Sequence, residues 1–135
     1  MTLHAQIDEF LDEGPFAVVG ASKHRHKYGN MVLRAYLQNG LAVWPINPNA
    51  ESVEGIPCVA RLSELEGEVR AVSVITPPEI TRTVLDEAMG LGIRQFWLQP
   101  GAEHLGAIDD ARRQGANVIA GGPCLLVVLG FREGS

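Results

Sequence analysis

Cysteine is scarce in this sequence. Cys58 and Cys124 are the two cysteines in 135 residues, and neither belongs to a C-x-x-C pair or to a cluster with histidine. That pattern argues against a disulfide framework and against a zinc site. Long apolar runs are lacking too, since none approaches the roughly 20 residues that span a bilayer. Residues 1–14 are amphipathic and acidic rather than signal-like, so we expect a cytoplasmic protein with no targeting segment and no membrane contact.

Net positive charge is also missing. The chain carries −5 at pH 7, which disfavours nucleic-acid binding. The segment Lys23-His24-Arg25-His26-Lys27 runs against this balance and holds three of the eleven lysine and arginine residues. A short cationic loop on an acidic chain predicts one localised anionic ligand rather than a polyanion. The alternative is a solvated surface loop, which is the usual explanation of an isolated charge run.

The hydrophobic pattern predicts the fold class. A length of 135 residues with 46% hydrophobic residues fits a single domain over 1–135. Short apolar runs typical of buried strands alternate with amphipathic segments typical of helices. The predicted strands cover 16–20, 41–46, 71–75, 95–98 and 117–120, with a shorter one at 55–59. The predicted helices cover 29–38, 63–65 and 103–113, with others beginning near residues 3 and 78, while 125–129 fits either a strand or a helix.

This alternation predicts right-handed βαβ units and an α/β fold. We expect a doubly wound parallel sheet, Rossmann-like, in three α/β/α layers. Its strand order should reverse beside the first strand. A flavodoxin-like order is the alternative, because the sequence pattern does not determine which strands are neighbours.

Ligands of such sheets bind outside the carboxyl ends of the strands. In this sequence those ends carry small, polar or proline residues. They are Gly20-Ala21-Ser22, Asn47-Pro48-Asn49, Thr76-Pro77-Pro78, Gln99-Pro100-Gly101 and Gly121-Gly122-Pro123-Cys124. The arrangement predicts one functional edge, although glycine and proline would also serve simply as turn residues.

The first of these turns predicts a phosphate site. Gly20 ends the first strand and the next helix starts near Gly29, so the loop is longer than a compact G-x-G-x-x-G. Free amides at a helix start bind anions, and the Ser22 hydroxyl can donate to a phosphate oxygen. With the cations of the basic segment added, this loop suits a ligand that carries more phosphate charge than NAD.

The later turns bear on the identity of the ligand. An NAD-binding domain usually places an acid after its second strand, but Asn47-Pro48 stands here and the first acid is Glu51. No arginine follows that strand to meet the 2′-phosphate of NADP. The next turn begins a helix at Thr76-Pro77-Pro78, and Glu79 already supplies negative charge there. We therefore expect this turn to form an apolar wall, and an NAD(P)-binding oxidoreductase-like domain remains the alternative.

Five segments in register resemble the stand-alone CoA-binding protein family. They are VVGAS with the basic loop and YGN, then PINPN, TPP, WLQPG and GGPC, which together span about Phe16 to Cys124. That family is similar to the CoA-binding domain in the α-subunit of succinyl-CoA synthetase and in related ADP-forming acyl-CoA synthetases.

The resemblance implies a Rossmann-like fold with coenzyme A as the ligand. It implies that Gly20–Ser22 contacts the pyrophosphate, that basic residues of the loop serve the phosphates, and that the later turns border adenosine and pantetheine. The expected binding residues are Gly20, Ala21, Ser22, Arg25, Lys27, Tyr28, Gly29, Asn47, Pro48, Thr76, Pro77, Pro78, Gln99 and Gly101.

Catalytic machinery is not expected. The larger synthetases use a domain with a phosphorylatable histidine and a nucleotide-grasp partner, for which this sequence has no room. His4 and His104 fall within predicted helices, and Cys124, the best nucleophile candidate, has no visible base. We therefore expect a binding module for coenzyme A or acyl-CoA, without enzyme activity or metal, whose protein partner is a second copy or an acyl-CoA-handling enzyme. An interaction subunit of an acyl-CoA synthetase is the second alternative.

Overall fold

The computed structural model describes residues 1–65 and 67–134. Helices α1 to α5 span Leu3–Asp12, Tyr28–Gln38, Pro78–Gly90, Leu105–Arg113 and Leu125–Val128. Strands β1 to β7 span Phe16–Val19, Val43–Ile46, Ser52–Val53, Ile56–Pro57, Ala71–Val74, Gln95–Leu98 and Asn117–Ile119. A short 3₁₀ helix covers Leu62–Leu65.

Five strands form one parallel sheet in the order β2-β1-β5-β6-β7. β1 pairs with β2 on one side and with β5 on the other, so the order reverses beside the first strand as predicted. A single strand, β2, lies beyond β1, so the strand order is the flavodoxin-like one that the sequence analysis gave as the alternative. The predicted strand at 55–59 is not a strand of the main sheet and meets it through an isolated parallel bridge between Val59 and Ile46 of β2. β3 and β4 instead form a small antiparallel hairpin whose turn residues, Glu54 and Gly55, both have positive φ.

Helices cover both faces of the sheet, which confirms the three-layer α/β prediction. On one face Phe10 of α1 packs against Phe16 and Trp97, each at a ring-centroid distance of 5.5 Å. On the other face Leu85 of α3 and Ile108 of α4 belong to a second buried cluster. The strands therefore read as continuous apolar runs, because neither face meets water. Among the described residues, no helix is long and apolar enough to cross a membrane.

Two predicted elements need correction or completion. The fourth helix starts at Leu105 rather than at Glu103, and His104 lies before it as the N-cap. The Nδ1 atom of His104 accepts a hydrogen bond of 3.0 Å from the Ala107 amide, which is why the helix starts there. The ambiguous apolar segment at 125–129 is helical over Leu125–Val128.

Tyr36 predicts an alkaline limit to stability. Its ring is fully buried under the sheet and its hydroxyl lies 2.6 Å from Ser73 Oγ. Burial raises the pKa of Tyr36, and the hydrogen bond with Ser73 lowers it by less. An unfolded tyrosine ionises near pH ~10, so above that pH the unfolded state loses a proton that the folded state keeps.

The free energy of unfolding should therefore fall as pH rises above about 10. Tyr36→Phe should show a shallower fall over that range, measured by urea unfolding at a series of pH values. At neutral pH the same variant should lose about 1–2 kcal/mol, because the Ser73 hydroxyl is left without its buried partner. Parallel pH profiles for the two proteins would contradict this assignment.

Candidate functional site

Two glycines bring three elements into backbone contact at the carboxyl edge of the sheet. Gly20 follows β1 with φ +93°, and a Cβ there would collide with the backbone carbonyl of Ile75. Gly29 lies in the first turn of α2, and a Cβ there would collide with the carbonyl oxygen of Gly20. The absence of both side chains lets the start of α2 sit directly on the end of β1, as in dinucleotide-binding loops.

The N-terminus of α2 has no side-chain cap within the described chain. Its N-cap residue, Lys27, is extended and makes no capping hydrogen bond. By contrast, Thr2 caps α1 and His104 caps α4 through their side chains. The amides of the first turn of α2 therefore carry partial positive charge without a side-chain acceptor, and the N-cap residue itself is the cation Lys27.

Asparagine side chains hold the loop after β1 in place. Asn47 Nδ2 donates to the Ala21 carbonyl at 2.7 Å, while Asn47 Oδ1 accepts from the Asn49 amide at 2.7 Å. Asn30 Nδ2 donates to the Ser22 carbonyl at 2.8 Å. Ser22 Oγ accepts from the His24 amide at 3.1 Å. The Asn47 carboxamide thus fixes the loop, whereas the sequence analysis expected Asn47 as a ligand-binding residue.

The β3–β4 hairpin reaches the outer side of this loop. At its tip, Glu54 Oε1 lies 3.5 Å from Arg25 Nη1, and Glu54 Oε2 accepts from Asn30 Nδ2 at 3.1 Å. The Arg25 side chain is about half exposed. Arg25 is therefore held beside the hairpin.

A buried arginine lies beneath the loop. Arg34 is 3% exposed; its Nε donates to Asn30 Oδ1 and its Nη2 to the Arg25 carbonyl, both at 2.7 Å. Its Nη1 lies 3.3 Å from Glu133 Oε1, and its guanidinium stacks 5.0 Å from the centroid of the Phe131 ring. Sequence reasoning missed these residues. The signal was available, because Asn30 and Arg34 are four residues apart on the buried face of a helix.

Three adjoining cavities form one crevice along the carboxyl edge. The loop cavity, about 460 Å³, is lined by Gly20, Ala21, Ser22, His26, Lys27, Tyr28, Gly29, Asn47 and Ile75. The Tyr28 cavity, about 250 Å³, is lined by Tyr28, Ile75, Thr76, Pro77, Gln99, Pro100, Gly101 and Ala102. The α3 cavity, about 450 Å³, includes Gly20, Asn47, Pro48, Thr76, Ile80 and Thr83. Shared lining residues connect each cavity to the other two.

The crevice brings together all the predicted binding residues except Arg25 and Pro78. Of the described residues that were predicted, those two stand outside the lining of the three cavities. Arg25 lies beside the hairpin, and Pro78 is an exposed first residue of α3. Wall residues outside the expected binding set include His26, which belongs to the basic segment, and Ile80. They lie one turn or less from a predicted residue, but a sequence pattern does not show which side chains face a cavity.

Comparison with known proteins matches residues 15–130 to the CoA binding domain. The uncharacterized protein YneT of Bacillus subtilis strain 168 is 29% identical over 116 residues, covering 85% of this chain and 86% of that protein. The alpha subunit of acetate–CoA ligase [ADP-forming] II from Pyrococcus furiosus is 28% identical over 89 residues. That match covers 65% of this chain and 20% of the ligase subunit.

A solved structure agrees with these matches. A conserved hypothetical protein from Pyrococcus furiosus superimposes with a TM-score of 0.78 and 35% identity, covering 84% of this chain and 97% of that one. Relatives of this chain thus include small stand-alone proteins and a segment of an acyl-CoA synthetase subunit. The family match spans the sheet, helices α2 to α5 and the whole crevice, and the chain belongs to the CoA binding domain family.

Proposed function

We propose that the chain acts as one domain that binds coenzyme A or acyl-CoA in this crevice. The observation that carries the proposal is the loop cavity, where an uncapped helix N-terminus and Lys27 meet. This cavity shares Tyr28 and Ile75 with the Tyr28 cavity, and Gly20 and Asn47 with the α3 cavity. A ligand with a pyrophosphate between a nucleoside and a less polar arm fits such a site.

The proposed pose follows from charge. The pyrophosphate lies over the first turn of α2, where amide dipoles and the Lys27 ammonium stabilise anions. Adenosine extends into the α3 cavity past Pro48, and the pantetheine arm extends into the Tyr28 cavity beside Pro77. α3 also starts at this edge, but Glu79 in its first turn disfavours a second phosphate there. Arg25 is the outer cation, available to phosphate at the expense of its pairing with Glu54.

Calorimetry with three ligands on one preparation tests the proposal. We expect tight binding of coenzyme A, weaker binding of dephospho-CoA and negligible binding of NADH. Lys27→Ala should weaken coenzyme A binding by about 1–3 kcal/mol, the range for a charge-assisted hydrogen bond. A preference for NADH would indicate a nicotinamide-dependent domain, and failure of all three ligands would favour an interaction subunit.

Acetylation of the lysine amines is a second test of the proposal, and it shows where the ligand lies. The two lysines of the sequence are Lys23 and Lys27, four residues apart in one loop. Lys27 lines the loop cavity, while Lys23 is exposed and lies outside that lining, so it is the matched control. Coenzyme A should slow acetylation of Lys27 and leave Lys23 unchanged, as measured by mass spectrometry. Equal protection of both lysines, or of neither, would contradict the pose.

We also propose that the chain binds its ligand without transforming it. The described residues contain no group of three or more histidine, cysteine or acidic side chains placed to hold a metal ion. Burial raises the pKa of Cys58 by more than a backbone hydrogen bond at Asn47 lowers it, so the thiol is kept protonated rather than activated. The proposed setting is the cytoplasm, with a second copy or an acyl-CoA-handling enzyme as the protein partner.

A further inference from the structure

Gln99 carries an unpaired polar group at the wall of the Tyr28 cavity. It follows β6 and is 3% exposed. Its Oε1 accepts from the Leu125 amide at 3.3 Å. Its Nε2 has no hydrogen-bond partner among residues 1–65 and 67–134. A buried amide donor without a partner costs about 1–3 kcal/mol. Gln99 also lines the Tyr28 cavity, so a ligand in that cavity is the candidate acceptor.

The orientation of the carboxamide is determined by its surroundings. Turning it over would place the NH₂ group against the Leu125 amide, donor against donor, and would leave the oxygen unpaired. The backbone amide of Gln99 donates to the Val74 carbonyl at 3.1 Å, and its carbonyl accepts from the Ala102 amide at 3.0 Å. The residue is therefore fixed at both its main chain and its side-chain oxygen, with Nε2 as the free end.

Two other polar groups of this cavity wall have partners, while the half-exposed Tyr28 adds a hydroxyl. Thr76 Oγ1 lies 2.8 Å from Thr81 Oγ1, and the Gly101 amide donates to Glu103 Oε1 at 2.8 Å. Much of the remaining wall is Ile75 and prolines, which offer no side-chain donor. The cavity thus suits an apolar chain bearing a hydrogen-bond acceptor that meets Gln99.

We infer that Gln99 determines specificity in the proposed CoA site by donating through Nε2 to a carbonyl oxygen on the arm of the ligand. This inference rests on the proposed function. Two groups of the ligand offer such a carbonyl oxygen: an amide of pantetheine itself, and the thioester of an acyl-CoA. Gln99 therefore recognises the arm of the ligand rather than its nucleotide.

The test compares three ligands on the whole chain and on Gln99→Met, which keeps the length of the side chain but removes its donor. The ligands are coenzyme A, acetyl-CoA and 3′-phosphoadenosine 5′-diphosphate, which is the nucleotide of coenzyme A without its arm. We expect Gln99→Met to weaken coenzyme A about tenfold and to change the nucleotide by less than about twofold. Equal losses of affinity for coenzyme A and acetyl-CoA would identify a pantetheine amide as the acceptor of the Gln99 hydrogen bond. A larger loss for acetyl-CoA would identify the thioester carbonyl as that acceptor.

Other outcomes would overturn the inference. Unchanged affinity for coenzyme A would remove Gln99 from recognition, and equal losses for coenzyme A and the bare nucleotide would make its role purely structural. If Gln99→Met does not fold, Gln99→Glu replaces it, since that variant keeps an acceptor for the Leu125 amide and removes the NH₂ group. A wild-type chain that does not bind coenzyme A refutes the proposed function itself. Wild-type binding with an indifferent Gln99 variant refutes this inference alone.

Discussion

Gly29→Ala is expected to lower the free energy of unfolding by about 2–3 kcal/mol and to abolish measurable binding of coenzyme A. The new Cβ would collide with the carbonyl oxygen of Gly20 and lie 3.2 Å from the Ala21 Cα. Both neighbours are backbone atoms, so no side-chain rotation relieves the contact. α2 would have to move away from β1, and the amides proposed to bind the pyrophosphate would move with it.

Helix propensity alone predicts the opposite sign, because alanine is favoured over glycine inside a helix by up to about 1 kcal/mol. Gly90→Ala is the matched control. Gly90 is the last residue of α3, and a Cβ there would meet nothing within 4 Å. Gly90→Ala should leave stability unchanged or raise it slightly, and should leave coenzyme A affinity intact. Urea unfolding and calorimetry measure both, and similar behaviour of the two variants would mean that the close approach of α2 to β1 is not limiting.

Much of the fold could be predicted from the sequence because it depends on local patterns. Buried parallel strands read as apolar runs, and amphipathic helices follow them at a period of 3.6, so the main strands and helices lie within a few residues of their predicted positions. The neighbours of each strand could not be predicted. Strand order depends on the connection after β2, where residues 52–57 form a hairpin and residues 62–65 a 3₁₀ helix instead of a further strand of the main sheet.

The candidate site was likewise predictable in part from the sequence. Turn residues at the strand ends were predictable, since topology places the carboxyl ends of parallel strands at one edge. The sequence did not predict which of the two cations lines the crevice. Arg25 and Lys27 are two residues apart in one loop, yet Arg25 pairs with Glu54 and Lys27 lines the loop cavity. The difference comes from a hairpin more than twenty residues away, which no local pattern contains.

Arg34→Met is expected to lower the free energy of unfolding by about 3 kcal/mol, since two short hydrogen bonds to a buried charged group are lost together. Asn30 Oδ1 and the Arg25 carbonyl would both lose their donor, while methionine would keep the apolar contact with Phe131. The loop that carries the proposed phosphate site would then be less well ordered. Coenzyme A affinity should fall as well, although Arg34 lies outside the lining of the crevice described here.

Two further variants separate the parts of this interaction. Glu133 is 70% exposed, so Glu133→Gln should cost less than about 1 kcal/mol, as for other surface ion pairs. Arg34→Lys keeps the charge, but a single ammonium does not reproduce the fork that reaches Asn30 and Arg25, so its loss should approach that of Arg34→Met. Thermal or urea unfolding ranks the three variants. If Glu133→Gln were as damaging as Arg34→Met, the ion pair with the C-terminal segment, rather than the hydrogen bonds to the loop, would be what Arg34 contributes.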